Sequence, residues 1–142
     1  MVDFVFASPS LEALGPTIEL EVHVSIDLAR QMLARGAPVP KPVLATAVVD
    51  TGATWCVFKP DIFRRLAIEP YDVASISTAS SLNESQYVYW VDLSLAGHRL
   101  ERLSALEAPL LGCPAQGLIG RNVLKRSVFC YDGRLNPFTL SF

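Results

Sequence analysis

The sequence predicts a mainly β domain carrying one or two short helices, and three observations predict it. Ile18, Leu20, Val22, Val24 and Ile26 alternate with Glu19, Glu21, His23 and Ser25, the period-two pattern of a half-buried strand. Residues 44–49 form an apolar, partly β-branched run that ends on a single carboxylate, Asp50, as a buried strand does where it leaves the sheet. Two further pairs of apolar runs, 73–78 with 87–95 and 127–131 with 138–142, each enclose a short polar stretch, which is how hairpins read.

At 142 residues the chain is long enough for one domain with a real core. Residues 1–16 are set apart as an N-terminal segment, and 17–142 form the single domain. Half of the residues are apolar and the mean hydropathy is positive, which excludes a disordered chain. The net charge of −2 is made of scattered residues and offers no footprint for nucleic acid or an anionic membrane. No apolar run approaches the roughly 20 residues of a membrane helix. Asp3 interrupts the apolar start and no basic stretch precedes it, so no signal peptide is expected. Cys56, Cys113 and Cys130 are odd in number and lack C-x-x-C spacing, which fits a reducing, cytoplasmic compartment with the thiols acting as small buried hydrophobes. Neither a Walker loop, a dinucleotide fingerprint nor a His/Cys ligand cluster is present, so no cofactor or metal is expected.

Taken in order, Leu11 to Leu14 is a short apolar piece between turn signals. After the alternating strand, with His23 on its polar, solvated face, Asp27 can cap a short helix that Gly36 stops. Three prolines between residues 37 and 42 stiffen the connection into the next strand. That strand, residues 44–49, lifts Asp50 into a turn where Thr51 supplies a hydroxyl and Gly52 permits close backbone approach. Trp55 to Phe58 is an apolar strand leaving the turn, with Trp55 in the core or a cleft wall. Pro60 can open a helix whose inner side is Ile62, Phe63 and Leu66. The hairpin over 73–95 follows, then a turn at Gly97-His98 that exposes His98. Leu100, Leu103 and Leu106 continue the core, and a loop carrying Cys113 leads to Leu118-Ile119-Gly120. Residues 122–126 suit a short helix, and the closing hairpin ends the chain.

Asp50-Thr51-Gly52-Ala53-Thr54 behind an apolar strand resembles the active-site segment of aspartic proteases. Gly117-Leu118-Ile119-Gly120-Arg121-Asn122-Val123-Leu124 resembles the loop and short helix that retropepsins place beneath that site, and residues 138–142 resemble their C-terminal strand. The likeness is to single-domain, retroviral-type proteases and their bacterial relatives, over roughly residues 43 to 142. It implies a pepsin-like, retropepsin half-barrel: a small closed β-barrel. It also implies Asp50 as the catalytic carboxylate, with Thr51, Gly52, Ala53, Thr54, Gly120, Arg121 and Asn122 as its support. In the same comparison Ser77, Thr78, Ala79, Ser80, Ser81, Leu82 and Asn83 form the substrate flap. Here the chain departs from the retroviral pattern, because the tip has no glycine and its ascending arm no tyrosine.

Aspartic protease chemistry uses two carboxylates about 3 Å apart that share one proton. This chain has one Asp-Thr-Gly, and no other aspartate precedes Thr-Gly or Ser-Gly. A complete site therefore requires a homodimer acting on a polypeptide, with residues 138–142 pairing across the two-fold axis. The alternative is a non-catalytic retropepsin-fold module for dimerisation or peptide binding. The glycine-free tip favours it; the intact Asp-Thr-Gly does not.

Overall fold

The computed structural model describes residues 1–7, 11–77 and 84–142. Among them run β1 (Asp3–Ala7), α1 (Leu11–Leu14), β2 (Thr17–Val24), α2 (Ile26–Ala34), β3 (Val43–Val49), β4 (Cys56–Phe58) and α3 (Pro60–Leu66). After these come β5 (Asp72–Ile76), β6 (Glu84–Leu95), β7 (His98–Glu107), β8 (Gly117–Ile119), α4 (Arg121–Leu124), β9 (Val128–Tyr131) and β10 (Pro137–Ser141). The fold is mainly β, and α2 and α3 are the helices longer than one turn.

Six strands close a barrel in the order β2-β3-β8-β4-β7-β6, with β6 returning to β2. The long strand β6 makes this possible: its first half carries β5, and its second half pairs with β2 along the same edge. Alternation drives the closure. Ile18, Leu20, Val22 and Val24 point inward from β2, and Val43, Ala45, Ala47 and Val49 from β3. Phe58, Phe63, Val91, Leu93, Leu103 and Ile119 fill the interior, where the Phe63 and Tyr89 rings stack 4.0 Å apart. Pro60 opens α3 at its first helical position, and Ile62, Phe63 and Leu66 bury its inner side as expected.

The terminal strands depart from expectation. β10 lies between β1 and β9 in a separate three-stranded antiparallel sheet, so both of its edges are paired within the chain. Phe138 and Leu140 are fully buried in the chain's own core. An apolar, alternating C-terminal strand by itself suggests an edge waiting for a second copy. The apolar segment at the other end of the chain, Phe4 to Phe6, satisfies that edge instead.

Smaller differences have local causes. Ser25, not Asp27, caps α2: its hydroxyl accepts the Leu28 N–H, while Asp27 pairs with Arg102 at 3.0 Å. His23 is half-buried, because β6 covers it at the seam that closes the barrel, where it faces Asp92. His98 is half-buried too, stacked on Phe142 at 4.8 Å and close to Phe4. Of the three free thiols only Cys56 is buried; Cys130 is exposed on β9. No described helix is long and apolar enough to cross a membrane.

Candidate active site

The site is built where β8 inserts between β3 and β4. β8 runs parallel to β3 (Val49 beside Ile119) and antiparallel to β4 (Val57 beside Leu118), so the chain leaves and re-enters the sheet around one central strand. The Asp50 N–H donates to the Ile119 carbonyl at 2.9 Å, which holds the end of β3 on β8. Gln116 braces the strand further back. Its side-chain oxygen accepts the Thr46 N–H at 2.9 Å, and its own N–H donates to the Thr46 carbonyl.

The turn after β3 closes on the carboxylate. Asp50 Oδ1 accepts the Gly52 N–H at 2.8 Å, and the Ala53 N–H donates to the Asp50 carbonyl. A Cβ at position 52 would lie 3.1 Å from that Oδ1, tighter than such contacts usually are, so glycine lets the amide approach its acceptor. Asp50 is only partly buried, and Thr51 and Gly52 are exposed at the tip of the turn.

Beneath it, Gly120, Arg121 and Asn122 fasten the turn. A Cβ on Gly120 would sit 2.4 Å from the carbonyl carbon and oxygen of Trp55, so only glycine allows the two backbones to cross here. The Arg121 N–H donates to the Ala53 carbonyl and the Asn122 N–H to the Thr54 carbonyl. The Arg121 guanidinium then reaches up: Nη1 donates to the Thr51 carbonyl at 2.8 Å and Nη2 to Thr54 Oγ1 at 3.0 Å. Asn122 works in the other direction. Its Oδ1 accepts the N–H and the thiol of Cys56, and its Nδ2 donates to the Ser104 carbonyl at 2.9 Å. Burial pushes the Cys56 thiol up to about 12, so it stays protonated and inert at neutral pH.

A cleft of about 520 Å³ opens over the turn. Gly52, Ala53, Thr54 and Trp55 form one side, and Ser75, Ile76 and Ser77 of the β5 arm form another. Its floor is apolar, with Val57 and Leu118 side by side on β4 and β8. A smaller cavity of about 380 Å³ beside α2 shares no lining residue with this cleft. Among the described residues no group of three His, Cys, Asp or Glu side chains converges as metal ligands would.

The structure thus brings together Asp50, Thr51, Gly52, Ala53, Thr54, Gly120, Arg121 and Asn122. Ser77 lies on the cleft; Thr78, Ala79, Ser80, Ser81, Leu82 and Asn83 fall outside the described residues. Sequence reading missed Ser104 and Gln116, whose contributions pass through a backbone carbonyl and a long-range amide. It also missed the floor pair Val57 and Leu118, although strand alternation against Cys56/Phe58 and Gly117/Ile119 marks both as pointing away from the core.

Comparison with known proteins agrees with this arrangement. A family model described as aspartyl protease matches residues 36–123, well over half of the chain. No curated protein sequence matches the chain. Among solved structures, a retropepsin-like aspartic protease from Rickettsia conorii superposes with a TM-score of 0.60 at 13% identity, covering 99% of this chain and 91% of that one. An EIAV protease complexed with the inhibitor HBY-793 superposes with a TM-score of 0.53 at 18% identity, covering 78% and 86%. At such identities the likeness is one of fold, and the family match carries the assignment. The chain belongs to the aspartyl protease family and is built on the retropepsin-like barrel.

Proposed function

We propose that the chain is an aspartic endopeptidase that works as a homodimer and hydrolyses peptide bonds with water activated between two Asp50 carboxylates, one from each subunit. The observation that carries this reading is the Asp50 turn. One carboxylate is fixed by the Gly52 amide, on a turn whose Gly52, Ala53 and Thr54 line an apolar cleft and which Arg121 clamps from below. One copy supplies half of the chemistry, and a two-fold axis through the exposed tip at Thr51 and Gly52 supplies the rest.

Two apposed carboxylates cannot both ionise, so the pair retains one proton. The ionised member takes a proton from water as the oxygen attacks the scissile carbonyl. The protonated member donates to the carbonyl oxygen, and the resulting tetrahedral species collapses with proton transfer to the leaving amine. The Gly52 amide holds the carboxylate, and Thr51 hydrogen-bonds across the two-fold axis. Ala53, Thr54, Gly120, Arg121 and Asn122 keep the turn from relaxing, and the segment from Ser77 to Asn83 covers the substrate.

β10 is paired on both sides, so the subunit contact is assigned to another edge. β9 pairs only with β10 among the described residues, and Val128, Cys130 and Tyr131 are exposed on it. It carries neither charge nor proline, the devices that keep open strand edges apart. Antiparallel pairing of β9 with its symmetry copy protects both edges at once.

A peptide-library digest from mildly acidic to neutral pH, run beside Asp50→Asn, tests the activity. Cleavage by the native chain and none by the variant is expected, because the amide keeps the shape but cannot take the proton. Equal cleavage by both removes Asp50 from the mechanism. A native chain that binds peptides without cutting them identifies a binding module instead.

A further inference from the structure

Tyr71 stands at the root of the β5–β6 hairpin, one residue before β5, and its N–H donates to the Val88 carbonyl of β6 at 2.8 Å. Its ring lies flat on Trp90, with centroids 4.4 Å apart and planes within 9°. Its hydroxyl meets Ser104 Oγ of β7 at 3.0 Å, and Ser104 is the residue paired across from Trp90. The carbonyl of the same Ser104 receives the Asn122 side-chain amide, and Asn122 in turn holds Cys56 and, through its N–H, the Thr54 carbonyl.

The contacts form one continuous path. It begins in the turn that carries Asp50, passes through Asn122 and Ser104, and ends on the aromatic pair at the hairpin root. The other end of the same arm, Ser75 to Ser77, faces Gly52 to Trp55 across the cleft. Both ends of β5 are therefore referred to one turn. The root is partly open to solvent, because Tyr71 and Trp90 are each about half exposed, at 45%. The Tyr71 N–H and ring tie this root to β6, and the hydroxyl pair ties it on to β7.

We propose that Tyr71 is a positioning residue, which through Ser104 and Asn122 sets the distance of the β5 arm from the Asp50 turn and so the width of the cleft offered to substrate. The inference rests on the endopeptidase reading for its kinetic consequence, though not for its structural one. Tyr71→Phe removes the hydroxyl and keeps the ring on Trp90. Ser104→Ala removes the other hydroxyl and keeps the carbonyl that Asn122 needs. Because both break the same contact, the two single variants and the double variant behave alike.

The experiment is amide hydrogen exchange on the full-length chain, with steady-state cleavage in parallel. Exchange of the residue 84–88 amides accelerates severalfold in all three variants to the same extent, while the residue 117–119 amides of β8 keep their native rates. KM for the best library peptide rises severalfold and kcat stays within about twofold, since a wider cleft loosens binding without moving Asp50. Native exchange at residues 84–88, additive effects in the double variant, or a fall in kcat at constant KM overturns the proposal. Where the native chain cleaves nothing, the endopeptidase reading fails by itself. The exchange rates still decide whether Tyr71 anchors the hairpin.

Discussion

Arg121 Nη1 lies 2.8 Å from the carbonyl oxygen of Thr51, seventy residues away in sequence, and this contact ties the tip of the Asp50 turn to the helix beneath it. The same guanidinium bonds Thr54 Oγ1, so two points of one turn hang from one planar fork. Lysine offers a point charge in its place. Arg121→Lys is expected to cost about 1–2 kcal/mol of stability, toward the low end because the group is exposed. It is expected to lower kcat/KM about tenfold or more, through loss of orientation at Asp50. Denaturant melts and library-peptide kinetics measure the two effects, and unchanged kinetics would show that α4 holds the turn by backbone contacts alone.

The seam between β2 and β6 makes stability depend on pH. His23 faces Asp92 across the strands; its Nε2 is buried, 3.2 Å from Glu21 Oε2 but without hydrogen-bond alignment. Burial, then the nearby Arg99 guanidinium, holds His23 below its usual range, outweighing the opposing pull of Glu21 and Asp92. A histidine depressed in the folded state takes up its proton more readily once unfolded. Its contribution to stability is present above 6.5 and is lost as pH falls through the folded value. His23→Gln is therefore expected to flatten the acid limb of a stability-against-pH curve below 6.5. An acid limb identical to that of the native chain would place the sensitivity elsewhere.

The terminal sheet separates two kinds of loss. Deleting residues 137–142 removes Phe138 and Leu140 from the core, and the Phe138 side chain alone is a loss of about 3–5 kcal/mol. That deletion is expected to unfold the chain. Cys130→Lys places a charge on the exposed β9 edge and leaves the core intact. It is expected to yield a folded, inactive monomer by sedimentation and circular dichroism. A Cys130→Lys protein that remains an active dimer would move the interface off β9.

Residues 44–54 and 117–124 were legible in the sequence because their chemistry is local. An apolar run ending on Asp50, and glycines at 52, where a Cβ would crowd the carboxylate, and at 120, where it would collide with the Trp55 backbone, leave their reasons in the residue order. The place of β10 was not legible. Its alternating pattern says that one face is buried, but not which strand covers its edges, and the answer lies about 135 residues away in β1. Asp92 escaped for a similar reason. It reads as a polar residue in a strand, yet it is fully buried and accepts bonds from the Ile26 and Arg102 N–H groups and the Arg99 guanidinium. Those partners come together only once the barrel closes. Ser104 joins the site through its carbonyl, a group that every residue type carries.

The central claim is that each active site contains Asp50 from two chains, and subunit mixing tests it most directly. Native chain and Asp50→Asn chain are unfolded together, refolded at a constant total concentration, and assayed across the mixing ratio. With one carboxylate from each subunit, activity follows the square of the native fraction, so an equal mixture retains about one quarter of the all-native activity. A linear decline, with about half retained at the equal mixture, would show that one chain cuts without its partner's carboxylate.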